Sequence, residues 1–488
     1  MIGMSSKLRN FILIVPLGFL AWGCEVGPNY KQPDLKPPAQ FGEINSATQP
    51  TSRGSSYSAT RPDYQQWWTT LNDPVLNSLI ERAVQGNPDL ISAEARIREA
   101  RGNRGIVNAG LYPDISATGS YTHTRLSSNL PGISALSGGG TSFPGLESDL
   151  WQAGFDMSWE IDVFGGTRRA IESADASVQA AGWDERDVLV SLLAEVAVNY
   201  VELRGVQREL IIAQANLQSQ QQTLELTQRK AEGGLVPYLD VAQQEAIVAT
   251  TASTIPTFEA EIRENIHHLG ILLGQYPGSL SDELSPVAPI PVGPAMVPPG
   301  LPGDLLRRRP DVRRAERLLA AQSAQIGVAT ADFYPKFSVT GALGDESQDF
   351  KRLFDWSSRT YDIVPGVSWD IFNAGKVRSN VHVQTERQVE ALQAYRKAVL
   401  QSMQDVDDSL VVYNREQVRL QSLRDAVEAN QRATDLSTML FEKGSADFLS
   451  VLDAQRSLFA AQDAQAQSEQ LVSTDLIALY KALGGGWN

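Results

Sequence analysis

The second half of the chain repeats the first. Pro88-Asp89 matches Pro310-Asp311, Tyr112-Pro113 matches Tyr334-Pro335 and Thr118-Gly119 matches Thr340-Gly341, each pair 222 positions apart. From Trp159 and Trp369 onward the offset is 210, and it holds for Gly165/Gly375, Arg168/Arg378, Gly234/Gly444, Leu239/Leu449 and Leu273-Gly274/Leu483-Gly484. The halves are one unit written twice, with a single 12-residue insertion or deletion between Tyr112 and Trp159. Two long copies are too few for a solenoid. Length alone would suggest about three domains; the repeat instead gives two copies, residues 67–280 and 304–488. Seven of the 25 prolines fall within 281–303, which reads as a stiff, extended linker.

Each copy reads as helix, two strands, then two long helices. From Trp151 the odd positions are Trp151, Ala153, Phe155, Met157, Trp159, Ile161 and Val163, whereas the even ones are Gln152, Gly154, Asp156, Ser158, Glu160 and Asp162. Strict alternation over 13 residues gives one apolar and one hydrated face. Ile115, Ala117, Gly119 and Tyr121 place the same pattern on a partner strand. The second copy repeats it with Phe337, Val339 and Leu343, then Ile363, Val367, Trp369 and Ile371. Two readings fit: transmembrane strands, which need about 9–11 residues and carry their apolar face outward, or a water-soluble sheet packed on a core. Pro365 fits poorly with continuous ladder bonding. Four strands cannot close a lipid-exposed barrel, and open edges are not tolerated in hydrocarbon, so membrane strands would require several chains to share one barrel.

The helical pattern is sustained. Leu189, Val196, Leu203, Leu210, Leu217 and Leu224 recur every seven residues, with Val399, Val406, Tyr413, Leu420 and Val427 at the 210 offset. Asn199 and Gln220 dilute the second seam of the first copy. Such heptads predict coiled-coil packing. No proline interrupts residues 166–232, which predicts a helix of about 100 Å at 1.5 Å per residue. Gly233-Gly234 should end it, a return helix should begin near Tyr238, and Pro256 should kink that helix. Gly444 should end the matching run of the second copy.

The amino terminus explains the single cysteine. Lys7 and Arg9 precede an apolar run at 11–22, followed by Gly23-Cys24. That run is shorter than the roughly 20 residues a spanning helix needs, so residues 1–23 read as an export signal. Cys24 stands where the signal ends and resembles a bacterial lipoprotein site, the alternative being an ordinary exported protein with a leftover cysteine. Cleavage there removes two positive charges and no negative one, taking the net charge from −15 to −17. A Pro-, Ser- and Thr-rich stretch at 34–61 would be a linker behind the lipid. Elsewhere no 18-residue apolar run occurs, so a membrane-spanning part would have to be β-barrel.

Composition excludes several function classes. An acidic chain with 42 Lys+Arg against 57 Asp+Glu and no basic block argues against a nucleic-acid partner. One cysteine and four histidines leave little for a metal site, and His267-His268, being adjacent, point in different directions on a helix. Gly138-Gly139-Gly140 lacks the Gly-Lys-Ser/Thr of a phosphate loop. Arg307-Arg308-Arg309 reads as a surface cluster at the start of a helix. No Ser-His-Asp arrangement is supported by spacing, so no enzyme, catalytic residue or cofactor is expected.

Further motifs carry a resemblance. Cys24-Glu25-Val26-Gly27-Pro28-Asn29-Tyr30 with Pro33, Trp67-Trp68, and Asn72-Asp73-Pro74-Val75-Leu76 are three of them. Arg308-Arg309-Pro310-Asp311-Val312, Ala315-Glu316, Ile326-Gly327 and Asp332-Phe333-Tyr334-Pro335 follow in the second copy. Leu452-Asp453-Ala454-Gln455-Arg456 and Leu479-Tyr480-Lys481-Ala482-Leu483-Gly484-Gly485-Gly486-Trp487 complete them. Together they resemble the TolC-like outer-membrane efflux lipoproteins of the NodT/OprM type over essentially the whole mature chain.

That resemblance implies an α+β membrane protein of duplicated β-hairpin plus long α-helical hairpin units. Its homotrimer would form a 12-stranded β-barrel continuous with a periplasmic α-helical barrel. Residues 1–23 would be the signal peptide, 24–66 a lipid-anchored linker, and 67–280 and 304–488 the two efflux-protein repeats. The function implied is the outer-membrane channel of a tripartite efflux pump in a Gram-negative bacterium, a passive exit duct for drugs, toxic compounds or metal ions. Its partners would be a periplasmic adaptor (membrane fusion protein), an inner-membrane RND-type transporter and outer-membrane lipid. By the same resemblance Cys24 would be lipidated, Leu449 and Asp453 would form the periplasmic gate with Phe441 and Arg456 nearby, and 126–149 would be an outer loop. The adaptor would dock at Gly233-Gly234-Leu235 and Gly444-Ser445-Ala446. Three copies of Asp453 on a pore axis would favour cations; the alternative is a solvated or salt-bridged helix residue. A type I protein-secretion duct and a non-porous, lipid-anchored periplasmic coiled-coil scaffold remain as other functions.

Overall fold

The computed structural model describes residues 25–35, 37–39, 41–42, 64–127, 147–294, 297, 300 and 302–487. The expected signal peptide, Cys24, most of the linker behind it and the loop carrying Gly138-Gly139-Gly140 lie outside the described residues.

A 3₁₀ turn at Trp67–Leu71 precedes helices α1 (Pro74–Gly86) and α2 (Pro88–Ala109), strands β1 (Asp114–Arg125) and β2 (Glu147–Ile161), and helices α3 (Gly166–Glu232) and α4 (Tyr238–Leu272). Two short helices, α5 (Ser281–Leu284) and α6 (Pro302–Arg308), lead to α7 (Pro310–Ala331), β3 (Lys336–Ser347), β4 (Arg359–Ser368), α8 (Lys376–Glu442) and α9 (Phe448–Ala482). The duplication is visible in the bounds. Helices α3 and α8 have 67 residues each, α4 and α9 have 35, and both pairs lie 210 positions apart. Helix α4 continues through Pro256.

Local chemistry sets the helix starts. Asp73 caps α1 by accepting from the amides of Val75 (2.8 Å) and Leu76 (3.1 Å), with Pro74 in the first turn. Asn87 does the same for α2, accepting from Asp89 and Leu90, and its buried Nδ2 donates to the Leu272 carbonyl at 2.9 Å. At the matching position the second copy has Arg309, whose guanidinium binds Asp311 and Asp405, each at 2.7 Å. Arg309 is therefore not part of a surface cluster: two carboxylates neutralise it and its side chain is only 13 % exposed.

The four strands form one antiparallel sheet in the order β1-β2-β3-β4. Rungs of the odd face read Ile115–Met157–Gly341–Ile363 and Ala117–Phe155–Leu343–Tyr361. Strand β4 continues through Pro365, opposite Val339. It is an edge strand, where a missing amide is tolerated. Strand β2 begins at Glu147, so the expected outer loop is shorter at that end than proposed.

The chain divides into two compact units that cut across both copies. One comprises residues up to 33, 98–179 and 316–393; the other comprises 34–97, 180–315 and 394–488. In the first unit the apolar odd face of the sheet is uncovered: Phe155 is 59 %, Leu343 61 % and Ile363 73 % exposed. No described element packs on it as a soluble core would. The second unit holds the main core, where Trp67, Leu76, Leu79 and Ile80 meet Leu193, Val196, Tyr200, Leu203, Leu269, Leu476 and Tyr480. Trp67 stacks on Tyr480 at 5.3 Å. The heptad seam is buried at Val196 and Leu203 but only half-buried at Leu210, Leu217 and Leu224. Residues 281–284 make one helical turn and 287–294 carry neither helix nor strand, with Ser473 donating to the Pro291 carbonyl and Tyr413 to that of Pro294, both at 2.7 Å. Among the described residues no helix is long and apolar enough to cross a membrane.

Candidate functional site

Two turns close the long hairpins in the same way. After α3 the amide of Leu235 donates to the Lys230 carbonyl (2.9 Å) and that of Gly234 to Ala231 (2.9 Å), with Gly234 at φ 72°. After α8 the amide of Ser445 donates to Leu440 (2.8 Å) and that of Gly444 to Phe441 (3.1 Å), with Gly444 at φ 74°. Both are Schellman closures. A Cβ at either glycine would meet nothing within 4 Å, so the left-handed backbone, not crowding, requires glycine there.

The turns differ in surface. The first presents Leu235 (75 % exposed), Tyr238 and Leu239 beside exposed Gly233 and Gly234. The second presents exposed Gly444 and Ser445 and half-buried Ala446. It then caps α9 with Asp447, which accepts from the Ser450 amide (3.1 Å) and hydroxyl (2.6 Å). Those bonds lower the Asp447 pKa.

Past that cap, Leu449, Asp453 and Arg456 lie at i, i+4 and i+7, all exposed on one stripe of α9. Among the described residues neither Asp453 nor Arg456 forms a hydrogen bond or ion pair. Phe441 does not join them. It is 2 % exposed and packs with Phe448, Val451, Leu452 and Ile247, its ring edge-on to Phe448 at 5.5 Å. The structure thus brings three of the four expected gate residues to one face and puts the fourth in the small core behind it.

Two features there escape sequence reasoning. Lys230, in the last turn of α3, donates to the carbonyls of Phe441 and Glu442 (the latter at 3.2 Å) and lies 4.2 Å from the Phe441 ring centroid. Its ammonium supplies the C-terminal cap of a different helix, α8. A basic residue at a helix end was legible; the helix it serves was not. Deeper in, a layer of buried amides joins three helices: Gln455 donates to the Thr223 hydroxyl (2.9 Å) and Gln244 to the Gln220 carbonyl (2.9 Å). Gln220 Oε1 and Gln244 Oε1 are buried and have no hydrogen-bond partner among the described residues. Here α3, α8 and α9 border a cavity of about 850 Å³ lined by Asn216, Thr223, Gln431, Asp435 and Gln455.

Further along the same helices two acids have raised pKa values. Burial first, then the neighbouring Asp463, pushes Glu209 up to about 7. Burial and Glu416 push Asp475 up to about 6. Among the described residues no group of three metal-ligating side chains converges. What the arrangement offers chemically is a pair of differently surfaced turns, an exposed Leu–Asp–Arg stripe and a sheet whose apolar face and two edges no described element covers.

The sequence model described as outer membrane efflux protein matches residues 79–275 and 301–485. Nodulation protein T of Rhizobium leguminosarum bv. trifolii is 32% identical over 466 residues, covering 96% of this chain and 95% of that protein. The pyoverdine export outer membrane protein OpmQ of Pseudomonas aeruginosa is 33% identical over 428 residues, 87% of this chain and 88% of its own length. Among solved structures, the outer-membrane channel OprN superposes with a TM-score of 0.84 at 35% identity, covering 95% of this chain and 100% of that one.

Proposed function

We propose that this chain, which belongs to the outer membrane efflux protein family, is the outer-membrane exit duct of a tripartite efflux pump. The observation that carries the proposal is the four-stranded sheet. Its odd face is apolar and exposed, its even face is rich in Ser, Thr, Asp and Glu, and among the described residues no strand pairs with either edge. Hydrocarbon does not tolerate such edges. Three chains closing their sheets into one 12-stranded barrel would pair every edge and turn the odd faces to lipid. Ten residue steps separate Ile161 from Trp151; at about 3.3 Å per residue and a tilt near 40° they rise about 25 Å, the height of a barrel's apolar band.

The long helices would then form a periplasmic conduit, with residues 67–280 and 304–488 each supplying one hairpin. Leu449 and Asp453 from three chains would narrow it, Arg456 lying on the same stripe. Phe441 acts from behind, as the support that fixes the start of α9. A periplasmic adaptor would engage the two turns, and an RND-type inner-membrane transporter would supply energy and cargo. Lipid on Cys24 would hold the assembly to the outer membrane. The cargo of this reading is small molecules, in line with the pyoverdine export named for one relative.

Planar-bilayer recording of purified protein tests the duct. Wild type should conduct weakly and a Leu449→Ala/Asp453→Ala double variant several-fold more, with reduced cation preference. No conductance from either protein would leave the non-porous scaffold as the better reading.

A further inference from the structure

Two motifs picked out in the sequence, 300 positions apart, pack backbone against backbone. Gly27, at φ 89°, lies so close to Gly327 on α7 that a Cβ on Gly27 would stand 2.5 Å from the Gly327 Cα. A Cβ on Gly327 would in turn meet the Arg169 side chain at 2.7 Å and the Val26 carbonyl at 3.0 Å. At Gly165, between β2 and α3, a Cβ would come within 2.9 Å of Glu25 Cγ. Only glycine permits these approaches, so residues 25–30 lie in a channel shaped for a peptide backbone.

Polar contacts hold the segment along its length. The Val26 amide donates to the Phe164 carbonyl at 3.3 Å. Arg169 is 2 % exposed; its Nε donates to the Val26 carbonyl (3.0 Å), its Nη2 to Asn29 Oδ1 (2.6 Å) and its Nη1 to Glu172 (2.6 Å). The Tyr30 hydroxyl donates to the buried Glu316 at 2.5 Å, and its ring rests on Ala176, Ala320 and Ala321. Arg317 pairs with Glu316 and stands over the Tyr30 ring at 5.7 Å. A flexible tether needs none of this, and ordering six residues costs entropy that only a specific seat offsets.

We propose that residues 25–30 are a seated strap that fixes the lipid-bearing end of the chain at the inner end of the sheet, with Arg169 as its positioning residue. The proposal rests on the reading of Cys24 as lipidated. Glu25 touches Gly165, four residues beyond the end of β2 at Ile161, and it is the residue next to Cys24 in sequence. The acyl chains are therefore delivered beside the membrane edge of the same chain's sheet. The lipid acts as a rigid clamp in barrel assembly, raising the local concentration of the sheet at the bilayer, and not only as a leash.

The test uses the full chain expressed in a Gram-negative host, with palmitate labelling and the yield of SDS-resistant trimer as readouts. One variant inserts a six-residue Gly-Ser spacer between Glu25 and Val26; the others are Arg169→Met and Glu172→Gln. The spacer and Arg169→Met proteins should keep wild-type labelling but lose at least five-fold in trimer yield. Glu172→Gln, which breaks only the local ion pair of Arg169, should match wild type. Arg169→Met alone could report misfolding, but the spacer alters no buried side chain. A labelled spacer variant that assembles at wild-type yield overturns the strap while leaving the lipid reading standing. Absence of label on the wild-type protein overturns the proposal through that reading instead.

Discussion

The two copies of the unit share a backbone and, apart from matched pairs such as Leu239 and Leu449, differ in many side chains at the turns. Helices α3 and α8 end on glycines of equal conformation 210 positions apart, and α4 and α9 begin 210 apart. Yet Lys230 corresponds to Leu440, Ala231 to Phe441, Gln243 to Asp453, Glu209 to Arg419, and Leu235 to Ser445. Backbone hydrogen bonding and left-handed glycines constrain both copies alike, whereas the side chains are free to specialise. The first copy carries the apolar turn and the cap for its neighbour. The second carries the Leu–Asp–Arg stripe and the aromatic support behind it. Duplication supplied the scaffold, and divergence assigned the parts.

The comparison breaks most sharply at Phe441. Phe441→Ala should cost about 3–5 kcal/mol locally, as for other buried aromatics. Hydrogen exchange should show the second turn and the start of α9 losing protection. Ala231→Gly at the matching position should cost no more than about 1 kcal/mol. Similar losses at both sites would mean that the copies are not specialised.

The inversion of charge between Glu209 and Arg419 is sharpened by pH. Folded Glu209 keeps its proton to about 7, against an ordinary value of 4.5. Between those limits the folded state binds more protons, so its contribution to stability is complete below pH 4.5 and lost as pH rises through 7. Glu209→Gln should therefore raise stability at pH 8, by up to about 3 kcal/mol, and leave it unchanged at pH 4. Thermal unfolding at the two pH values measures this. An equal gain at both would place the effect in packing and not in the buried charge.

The smallest effects should be equal ones. Gly234→Ala and Gly444→Ala each force a Cβ into the left-handed region, at about 1–2 kcal/mol, and neither meets a neighbour. Matched decreases in the midpoint of unfolding would confirm that the turns share one backbone requirement. Unequal ones would show that a side chain intervenes.

Much of this molecule was legible in its residues because the relevant physics is local. Proline-free heptads, Gly233-Gly234 and Gly444 place the helices and their ends, and α3 spans the residues expected of it, Gly166–Glu232. Period-2 alternation around Trp151 located a strand that runs Glu147–Ile161. Other readings failed where a partner from elsewhere decided the outcome. Arg309 looked like surface charge until Asp311 and Asp405 closed on it. Phe441, which the resemblance sets near Leu449 and Asp453, has its ring in the cluster around Phe448, a contact that local pattern does not show. Pro365 looked disruptive, yet β4 runs through it opposite Val339, with β3 as its one neighbour within the described chain.

The sequence by itself determined the duplication, the element types, the ends of the long helices and the alternating faces of the strands, since local pattern fixes each; the strand ends differ, β2 starting at Glu147 and β4 stopping at Ser368, short of Trp369 and Ile371. Only the tertiary structure decided that Lys230 caps α8 rather than its own helix, that Gln455 and Gln244 form a buried layer behind the Asp453 stripe, and that Gly27 meets Gly327. Those contacts join positions about 20 to 300 residues apart. Their energies come from desolvation and close approach, which have no signature in local periodicity.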